Sequence, residues 1–442
     1  MLGVKPAPHY LKLLYLLLTY FIGNAILIRI LTELRTLSVR YSSHKKIFMG
    51  DKIMGSLLLA VIYSAFVSLG LPDSLLGSGW PTMQVDLGVP SSYAGYVSMS
   101  ISFMTIVSAL IAPMLIRKLR TEIIVVCSIF LTVIGLIGFS FSTHYLMLFL
   151  FVIPYGMGAG SVDAALNNYV AKHYSASVMN FLHCFYGVGA MLSPYIMSLA
   201  LANARWNAGY RWTAYIQTGI LLLCLFSIPL WKKNAAGDGD DGENGAGIRE
   251  ALKVRGVIPT LIAFFAYCAG EATCFLWTSS YFAGTKENIS DETVAAFGSL
   301  IFGGLMLGRL ISAFVSDKLG DRLLIRIGIA VEFIGILLIM LPVPGYITAA
   351  VGFVVAGTGM GPVYPSIQHM APINFGKRNS AAVIGLQMAS AYIGSTFMPM
   401  VFGHIQQAVG IGIMPVYLIV FAVLNIGFLE FAYTRINTAA SD

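Results

Sequence analysis

Charged side chains are scarce in this sequence. Asp, Glu, Lys and Arg together make up 11% of its 442 residues, whereas a soluble domain carries about 25%. Hydrophobic residues account for 57% of the chain, and its mean hydropathy is +0.79. This composition excludes a soluble globular protein and predicts an all-α polytopic membrane protein.

Signatures of enzymes and of cofactor sites are also missing. The sequence contains no P-loop, no Gly-rich dinucleotide fingerprint, no HExxH and no GxSxG. Its five cysteines lie in apolar segments and lack the spacing of a zinc site. No nucleophile, base and orienting group fall together. We therefore expect no enzyme activity, no cofactor, no metal site and no ATP-driven pump.

Apolar segments dominate what is present. Twelve of them are about 20 residues long, which is enough to cross a bilayer. They begin near Gly55, Tyr93, Ile123, Tyr145, Met179 and Tyr210 in the first half, and near Ile258, Thr293, Leu323, Tyr346, Ala381 and Pro415 in the second. The expected domains are a six-helix bundle at 54–231, a cytoplasmic linker at 232–256, a second bundle at 257–435 and a cytoplasmic tail at 436–442.

Residues 1–53 precede this pattern as an N-terminal extension. They contain one hydrophobic segment, Tyr10–Leu34, which is followed by a run of basic residues. Two interpretations stay open for this extension. It is either an extra membrane helix or a start-site artefact, upstream of a reading frame that begins at Met49 or Met54.

The distribution of basic residues indicates the orientation of the chain in the membrane rather than a nucleic-acid partner. The net charge is +7, and the Lys and Arg residues fall in loops between the apolar segments. Fifteen lie in the tail and in the loops after even-numbered spans, against three in the alternate loops. Because cytoplasmic loops carry the excess of basic residues, we expect a multi-pass cell-membrane protein, monomeric in the lipid bilayer, with a cytoplasmic C-terminus.

The two halves share an internal repeat. Gly156–Asn168 reads GMGAGSVDAALNN and Gly357–His369 reads GTGMGPVYPSIQH, at an offset of 357 − 156 = 201 residues. Three glycines recur in both, but the polar positions differ: Asp163 corresponds to Tyr364, and Asn167 to Gln368. Two related six-helix halves with a site between them are a recognised plan of transporters.

Titratable groups inside the spans are the candidates for proton coupling. A carboxylate in a membrane is costly and marks a functional site by default, and histidine titrates near neutral pH. The candidates are Asp73, Asp163, Glu271 and His183. Glu332 in the ninth span is expected to be structural, because that span is expected to face outward.

Amides and aromatic side chains in the spans are the candidates for solute binding. Amides donate and accept hydrogen bonds, which suits a ligand rich in hydroxyl groups, and aromatic rings stack on sugars. The alternative for each is helix packing or an interhelical hydrogen bond. The candidates are Asn167, Asn180, Tyr186, Trp277, Tyr364, Gln368, Gln387 and Tyr392.

One loop resembles a known family. Gly308-Arg309 followed by Asp317-Lys318-Leu319-Gly320-Asp321-Arg322 resembles the loop signature of the major facilitator superfamily. The resemblance implies twelve helices in two pseudo-symmetric bundles that transport solutes by alternating access. It also implies a conformational latch between the bundles, formed by Arg309, Asp317, Lys318 and Arg322. The first-half copy, at residues 117–121, lacks the Asp.

Within that superfamily the chain looks most like the fucose permease branch of sugar/proton symporters. The resemblance rests on Leu71-Pro72-Asp73, on Gly158-Ala159-Gly160 with Asp163 and Asn167, and on Asn180, His183, Tyr186 and Gly187. It implies symport of a small polar solute, a sugar, with protons. Two alternatives stay open. A proton-driven exporter would need an apolar aromatic cavity, and a non-transporting membrane sensor would be expected to carry a signalling domain.

Overall fold

The computed structural model describes residues 46–173, 176–231 and 248–439, which are helical apart from short connections. The hydrophobic segment Tyr10–Leu34 and most of the linker lie outside the described residues. By internal contacts the chain divides into Met1–Leu57 and Leu58–Asp442, and the second unit contains the two helical halves.

The first half contains six spans with a break in the first. Apolar stretches extend each helix, and the fourth and fifth spans continue through Pro154 and Pro194. The first helix, in contrast, ends one residue after Pro72. The helices are Lys46–Asp73 with Leu75–Asp86, Tyr93–Lys118, Thr121–Phe141, Tyr145–His173, Ala176–Asn203 and Trp206–Ser227.

The second half repeats this order, with breaks in its eighth and tenth spans that the sequence pattern did not predict. A short helix, Ile248–Ala251, precedes it. The helices of the spans are Val257–Thr285, Asp291–Phe297 with Ser299–Leu319, Asp321–Met340, Ile347–Met360 with Val363–His369 and Ala371–Phe375, Lys377–Val409 and Met414–Ala439.

Eleven helical segments among the described residues are long and apolar enough to cross a membrane. The eleventh predicted span forms the longest described helix, Lys377–Val409, of 33 residues. It packs inside the bundle, since a Cβ on its Gly394 would lie 2.5 Å from the carbonyl oxygen of Phe265 in the seventh span. The structure thus confirms the all-α multi-span fold.

The glycine repeat of the sequence is also a repeat in three dimensions. A Cβ on Gly156 would lie 2.5 Å from the carbonyl oxygen of Ile101, and one on Gly357 would lie 2.4 Å from that of Ile301. The contacted residues differ by 301 − 101 = 200, close to the offset between the glycines. Each glycine therefore allows a close helix approach, of the fourth span to the second and of the tenth to the eighth.

The same correspondence shows which charges the halves do not share. The matching contacts are those of Gly160 with Ala109, Gly361 with Arg309, Gly158 with Thr132 and Gly359 with Glu332. Arg309 thus takes the place of Ala109, and Glu332 that of Thr132. Glu332 is only 5% exposed, because the missing side chain of Gly359 lets the ninth span pack closely on the tenth. Other side chains of the ninth span face outward, since Leu323, Ile334 and Leu337 are 45%, 54% and 55% exposed.

The halves meet in several places, and one of these is a seam where the beginning of the second span contacts the end of the eleventh. We define this seam as residues 91–96 and 400–407. Three hydrogen bonds join it: Ser92 Oγ donates to Gln407 Oε1 at 2.6 Å, Gln406 Nε2 donates to Ser91 Oγ at 2.6 Å, and Tyr96 Oη lies 2.8 Å from His404 Nε2. Gly95 permits the approach, since a Cβ there would lie 2.6 Å from Met400 Cα.

Candidate functional site

The first span is broken in its middle, at Asp73. Proline cannot donate a backbone hydrogen bond, and the helix ends one residue after Pro72. Tyr155 of the fourth span stabilises the break, because its Oη donates to the Pro72 carbonyl oxygen at 2.7 Å. Ser74 Oγ donates to the Ala190 carbonyl oxygen at 2.5 Å. Broken helices occur at membrane depth where they are buried in protein or line a polar space, and the Asp73 side chain is exposed.

Four polar side chains of the first half meet at this break. Tyr186 Oη donates to Asp73 Oδ2 at 2.6 Å, and Asn167 Nδ2 donates to Asp163 Oδ1 at 2.8 Å. The two carboxylates are close enough to interact electrostatically. The structure therefore places polar side chains of the first, fourth and fifth spans around two neighbouring carboxylates.

The second half contributes an ion pair. Arg309 Nη2 lies 3.7 Å from Glu271 Oε1, and the two side chains are 24% and 13% exposed. Tyr267 Oη donates to the same carboxylate at 2.7 Å and lies 3.1 Å from the Met360 carbonyl oxygen. Hence Glu271 is held by one cation and one hydroxyl group.

These groups form one central cluster across both halves. Tyr186 lies within electrostatic range of Glu271 and Arg309, and Asp163 lies within that range of Tyr364 and Tyr392. We define the central cluster as Asp73, Asp163, Asn167, Tyr186, Tyr267, Glu271, Arg309 and Tyr364. It contains three carboxylates and one guanidinium group. When all are ionised its net charge is therefore −2.

Other predicted site residues flank the cluster. Gln368 Nε2 lies 3.3 Å from Tyr364 Oη and 3.0 Å from Met388 Sδ. The Tyr364 ring packs on Phe264, with centroids 4.8 Å apart. His183 is exposed and interacts electrostatically with Arg309. The polar face predicted from the repeat is thus present in both halves.

Two predicted ligand contacts are buried in helix packing instead. Trp277 is 0% exposed, and its Nε1 donates to the Pro399 carbonyl oxygen at 2.9 Å. Gln387 is also 0% exposed, and neither polar atom of its amide has a partner among the described residues. In this state neither side chain is accessible to a ligand.

The predicted latch is only partly described. The side chains of Asp317 and of Asn180 lie outside the described residues. Lys318 is exposed, while Arg322 lies 4.6 Å above the Tyr433 ring and contacts Asn374 at 3.4 Å. Arg309, also a member of the predicted latch, forms an ion pair with Glu271 in the central cluster.

Tyr155 and Tyr267 are site residues that were absent from the predicted set. Tyr267 precedes Glu271 by four residues, so helical spacing alone places the two on one face. Tyr155 had no such signal, because its partner is a backbone oxygen 83 positions away. Only the packing of the fourth span on the first shows that contact.

The sequence matches the profile of the Major Facilitator Superfamily over residues 57–399. The chain belongs to this superfamily. Membership confirms the expected fold and indicates a membrane transporter rather than an enzyme.

Two curated relatives are distant. Bypass of stop codon protein 6 from Saccharomyces cerevisiae is 23% identical over 325 residues, which is 65% of this chain and 64% of that protein. Membrane protein MosC from Rhizobium meliloti is 24% identical over 280 residues, 62% of this chain and 65% of that protein. The chain thus spans just under two thirds of the length of each.

Solved structures share the fold at lower identity. The xylose transporter XylE from E. coli superposes with a TM-score of 0.66 at 12% identity, covering 86% of this chain and 98% of that one. The E. coli fucose:proton symporter FucP superposes with a TM-score of 0.60 at 17% identity, covering 85% and 98%. At such identities the likeness concerns the fold alone.

Proposed function

We propose that the chain is a secondary transporter that moves a small polar solute, a sugar, together with protons across the cell membrane. The observation that carries this proposal is the central cluster, which contains three carboxylates but one guanidinium group, paired with Glu271. The uncompensated negative charge favours binding of protons. The polar groups of both halves surround it, as expected for a solute site between two bundles.

In this mechanism the same hydrogen-bond donors serve either an ionised carboxylate or the solute. An ionised Asp73 accepts from Tyr186 at 2.6 Å. A proton on Asp73 removes the charge that holds this phenol, so that the phenol can donate to a solute hydroxyl. Asp163 and Asn167 offer a second such pair at 2.8 Å. Protonation thus both lowers the charge of the cluster and releases donors for the ligand.

The ligand class follows from what the cluster offers. Asn167 Oδ1 is buried and has no partner among the described residues, so it can accept from a hydroxyl group. Tyr364 and Gln368 add a phenol and an amide from the other half. This polarity favours a hydroxyl-rich solute over a lipophilic drug, for which a proton-driven exporter would offer an apolar cavity. The fold shared with a xylose transporter and a fucose:proton symporter supports the same class.

The seam suggests the conformational state. With the C-terminus in the cytoplasm, as the basic loops predict, the seam lies at the extracellular end. The described state is then closed to the outside, and Asp73 is reached from the cytoplasm. Neutralisation of the cluster lets the two bundles rock about it, which breaks the seam and exposes the site outward. Asp317, Lys318 and Arg322 remain the proposed latch of the opposite end.

The experiment begins with the solute. A ligand stabilises a protein by RT ln(1 + [L]/Kd), so a panel of monosaccharides that includes fucose and D-xylose is screened by thermal denaturation of the purified chain. Uptake of the best ligand is then measured in proteoliposomes with an imposed inward proton gradient. We expect the gradient to drive accumulation of that solute above its external concentration.

Matched substitutions assign the coupling groups. Asp73→Asn and Asp163→Asn should abolish gradient-driven accumulation but retain solute exchange, since the amide remains polar without binding a proton. Asp86→Asn is the control, because Asp86 lies at a helix end and contacts Arg205 at 3.3 Å, away from the cluster. If both cluster variants accumulate solute like the control, neither acid couples protons to transport. A drug-export phenotype with no sugar binding would instead support the exporter.

A further inference from the structure

The ninth and twelfth spans lie side by side on the outside of the second half, and a cleft runs between them. Arg326 meets Glu430 across this cleft, with Nε 2.6 Å from Oε1 and Nη2 2.8 Å from Oε2. One helical turn from this ion pair, toward the middle of the membrane, Ala330 and Gly427 are exposed. A Cβ on Gly427 would have no atom within 4 Å. The cleft therefore has small residues on its floor and is open toward the lipid.

Larger apolar side chains border this cleft. Ile327 and Ile334 of the ninth span are 41% and 54% exposed, and Val423 and Phe431 of the twelfth are 51% and 47% exposed. On the outside of a membrane bundle, apolar side chains at such exposure contact acyl chains of the lipid. We define the interspan cleft as Ile327, Ala330, Ile334, Val423, Gly427 and Phe431. Its shape and polarity fit one hydrocarbon chain.

Three guanidinium groups lie at one end of the cleft. They contact neighbouring residues of the twelfth span, where Arg326 pairs with Glu430, Arg435 lies 5.0 Å above the Phe431 ring and Arg322 lies 4.6 Å above the Tyr433 ring. We define the basic cluster as Arg322, Arg326 and Arg435. Because these residues lie where the ninth span begins and the twelfth ends, they are at the level of the lipid headgroups.

The charge balance at this end of the cleft is positive. Glu430 is the carboxylate that contacts the basic cluster, while Asp321, the acid at the start of the ninth span, is held by His369 at 2.8 Å. Glu430 engages Nε and Nη2 of Arg326, but a guanidinium group has five N–H donors. Since the Arg326 side chain is 50% exposed, its Nη1 can donate to an anion at the membrane surface.

We propose that the interspan cleft and the basic cluster together bind one anionic phospholipid. Its phosphate group lies on Arg326 and Arg435, and one acyl chain lies over Ala330 and Gly427. The basic cluster selects the negative headgroup, and the cleft selects the hydrocarbon chain. Anionic lipids are concentrated in the cytoplasmic leaflet, and the basic loops predict that this end of the two spans is cytoplasmic. This site is separate from the central cluster, and the inference does not depend on which solute is transported.

Lipid titration tests the occupant. The full chain is purified in detergent micelles, and its melting temperature is followed against the concentration of three compounds. These are phosphatidylglycerol, phosphatidylcholine with the same acyl chains, and glycerol phosphate, which has the charge but no acyl chain. We expect saturable stabilisation by phosphatidylglycerol alone. Equal stabilisation by phosphatidylcholine would overturn the selection of charge, and equal stabilisation by glycerol phosphate would overturn the role of the cleft.

Two substitutions at the same ion pair should act in opposite directions. Arg326→Gln removes a cation, so the affinity for phosphatidylglycerol should fall about fivefold, as for one basic residue near an anionic membrane surface. Glu430→Gln breaks the same ion pair but removes the competing carboxylate, so the affinity should rise. An ion pair that only supports the local structure would be lost equally in both variants. A fall in affinity for Glu430→Gln equal to that for Arg326→Gln would therefore contradict the headgroup site.

A substitution in the floor of the cleft tests the acyl chain. Gly427→Leu fills the space over which the chain lies, and the affinity for phosphatidylglycerol should fall several-fold with no loss of folded protein. Gly219→Leu is the matched control, because Gly219 is an exposed glycine of the sixth span that also has open space around it. This control should bind like the unaltered chain. Unchanged affinity of Gly427→Leu would show that no acyl chain lies in the interspan cleft.

Discussion

The ion pair between Arg309 and Glu271 should be a strongly coupled contact of the second half. Arg309→Met removes the cation that faces a carboxylate only 13% exposed. Breaking a buried pair by removal of one partner costs about 3–5 kcal/mol. Since the nitrogen–oxygen distance is 3.7 Å and Arg309 is 24% exposed, we expect the lower end, about 3 kcal/mol.

A double-mutant cycle isolates the interaction. Arg309→Met with Glu271→Gln removes both charges, so the double variant should be less destabilised than the sum of the single variants. Residues in contact typically couple by roughly 0.5–3 kcal/mol, and burial places this pair in the upper part of that range. The assay is reversible unfolding in mixed micelles, read as the free energy of unfolding.

Two further cycles serve as controls. Arg326 and Glu430 are closer, at 2.6 Å, but their side chains are 50% and 40% exposed, so their coupling should stay below about 1 kcal/mol. Arg309 with Asp317 should show almost none, because Arg309 pairs inside the central cluster. Coupling of Arg309 to Asp317 that exceeds its coupling to Glu271 would refute this account and support a latch that includes Arg309.

Four other substitutions have expected outcomes. Tyr186→Phe removes the donor to the first-span carboxylate at 2.6 Å, so proton-driven uptake should fall about tenfold or more, as for one hydrogen bond to a charged group, with unchanged protein yield. Gly158→Leu should prevent folding, seen as aggregation on size exclusion, whereas Gly219→Leu, with open space around it, should be tolerated. Trp277→Phe, which loses the bond to Pro399, should lower the melting temperature but leave the solute KM unchanged.

The sequence predicted the fold because hydrophobic length and repeats are local signals. Twelve spans followed from stretches long enough to cross a bilayer. The glycine triplets of the fourth and tenth spans then identified two related halves, and their contacts in the structure repeat at nearly the same offset. What was missed are the breaks of the eighth and tenth spans, because helix continuity at a Gly-Pro step such as Gly361-Pro362 depends on neighbouring helices.

Site residues could be predicted from the sequence where their side chains are costly to place inside a membrane. Asp73, Asp163 and Glu271 stood out as carboxylates within spans, and the structure gathers them. Trp277 and Gln387 share the polarity of site residues, but the sequence does not show which way a helix faces.

The rotation of each helix about its axis also explains why the surroundings of Glu332 and Arg309 were not predicted. The burial of Glu332 at 5% exposure depends on the glycine that faces it from the tenth span. The pairing of Arg309 depends on the rotation of the eighth span toward the seventh. The periodicity of a single span predicts neither the burial of Glu332 nor the pairing of Arg309.

Proton movement induced by the solute tests the central claim most directly. Proteoliposomes that contain an internal pH dye receive the stabilising monosaccharide without any imposed gradient. We predict that solute entry acidifies the lumen for the unaltered chain and for Asp86→Asn, and that the double variant Asp73→Asn, Asp163→Asn exchanges solute without acidification. Acidification by the double variant at the rate of the unaltered chain would contradict the assignment of these two carboxylates as the proton-coupling groups.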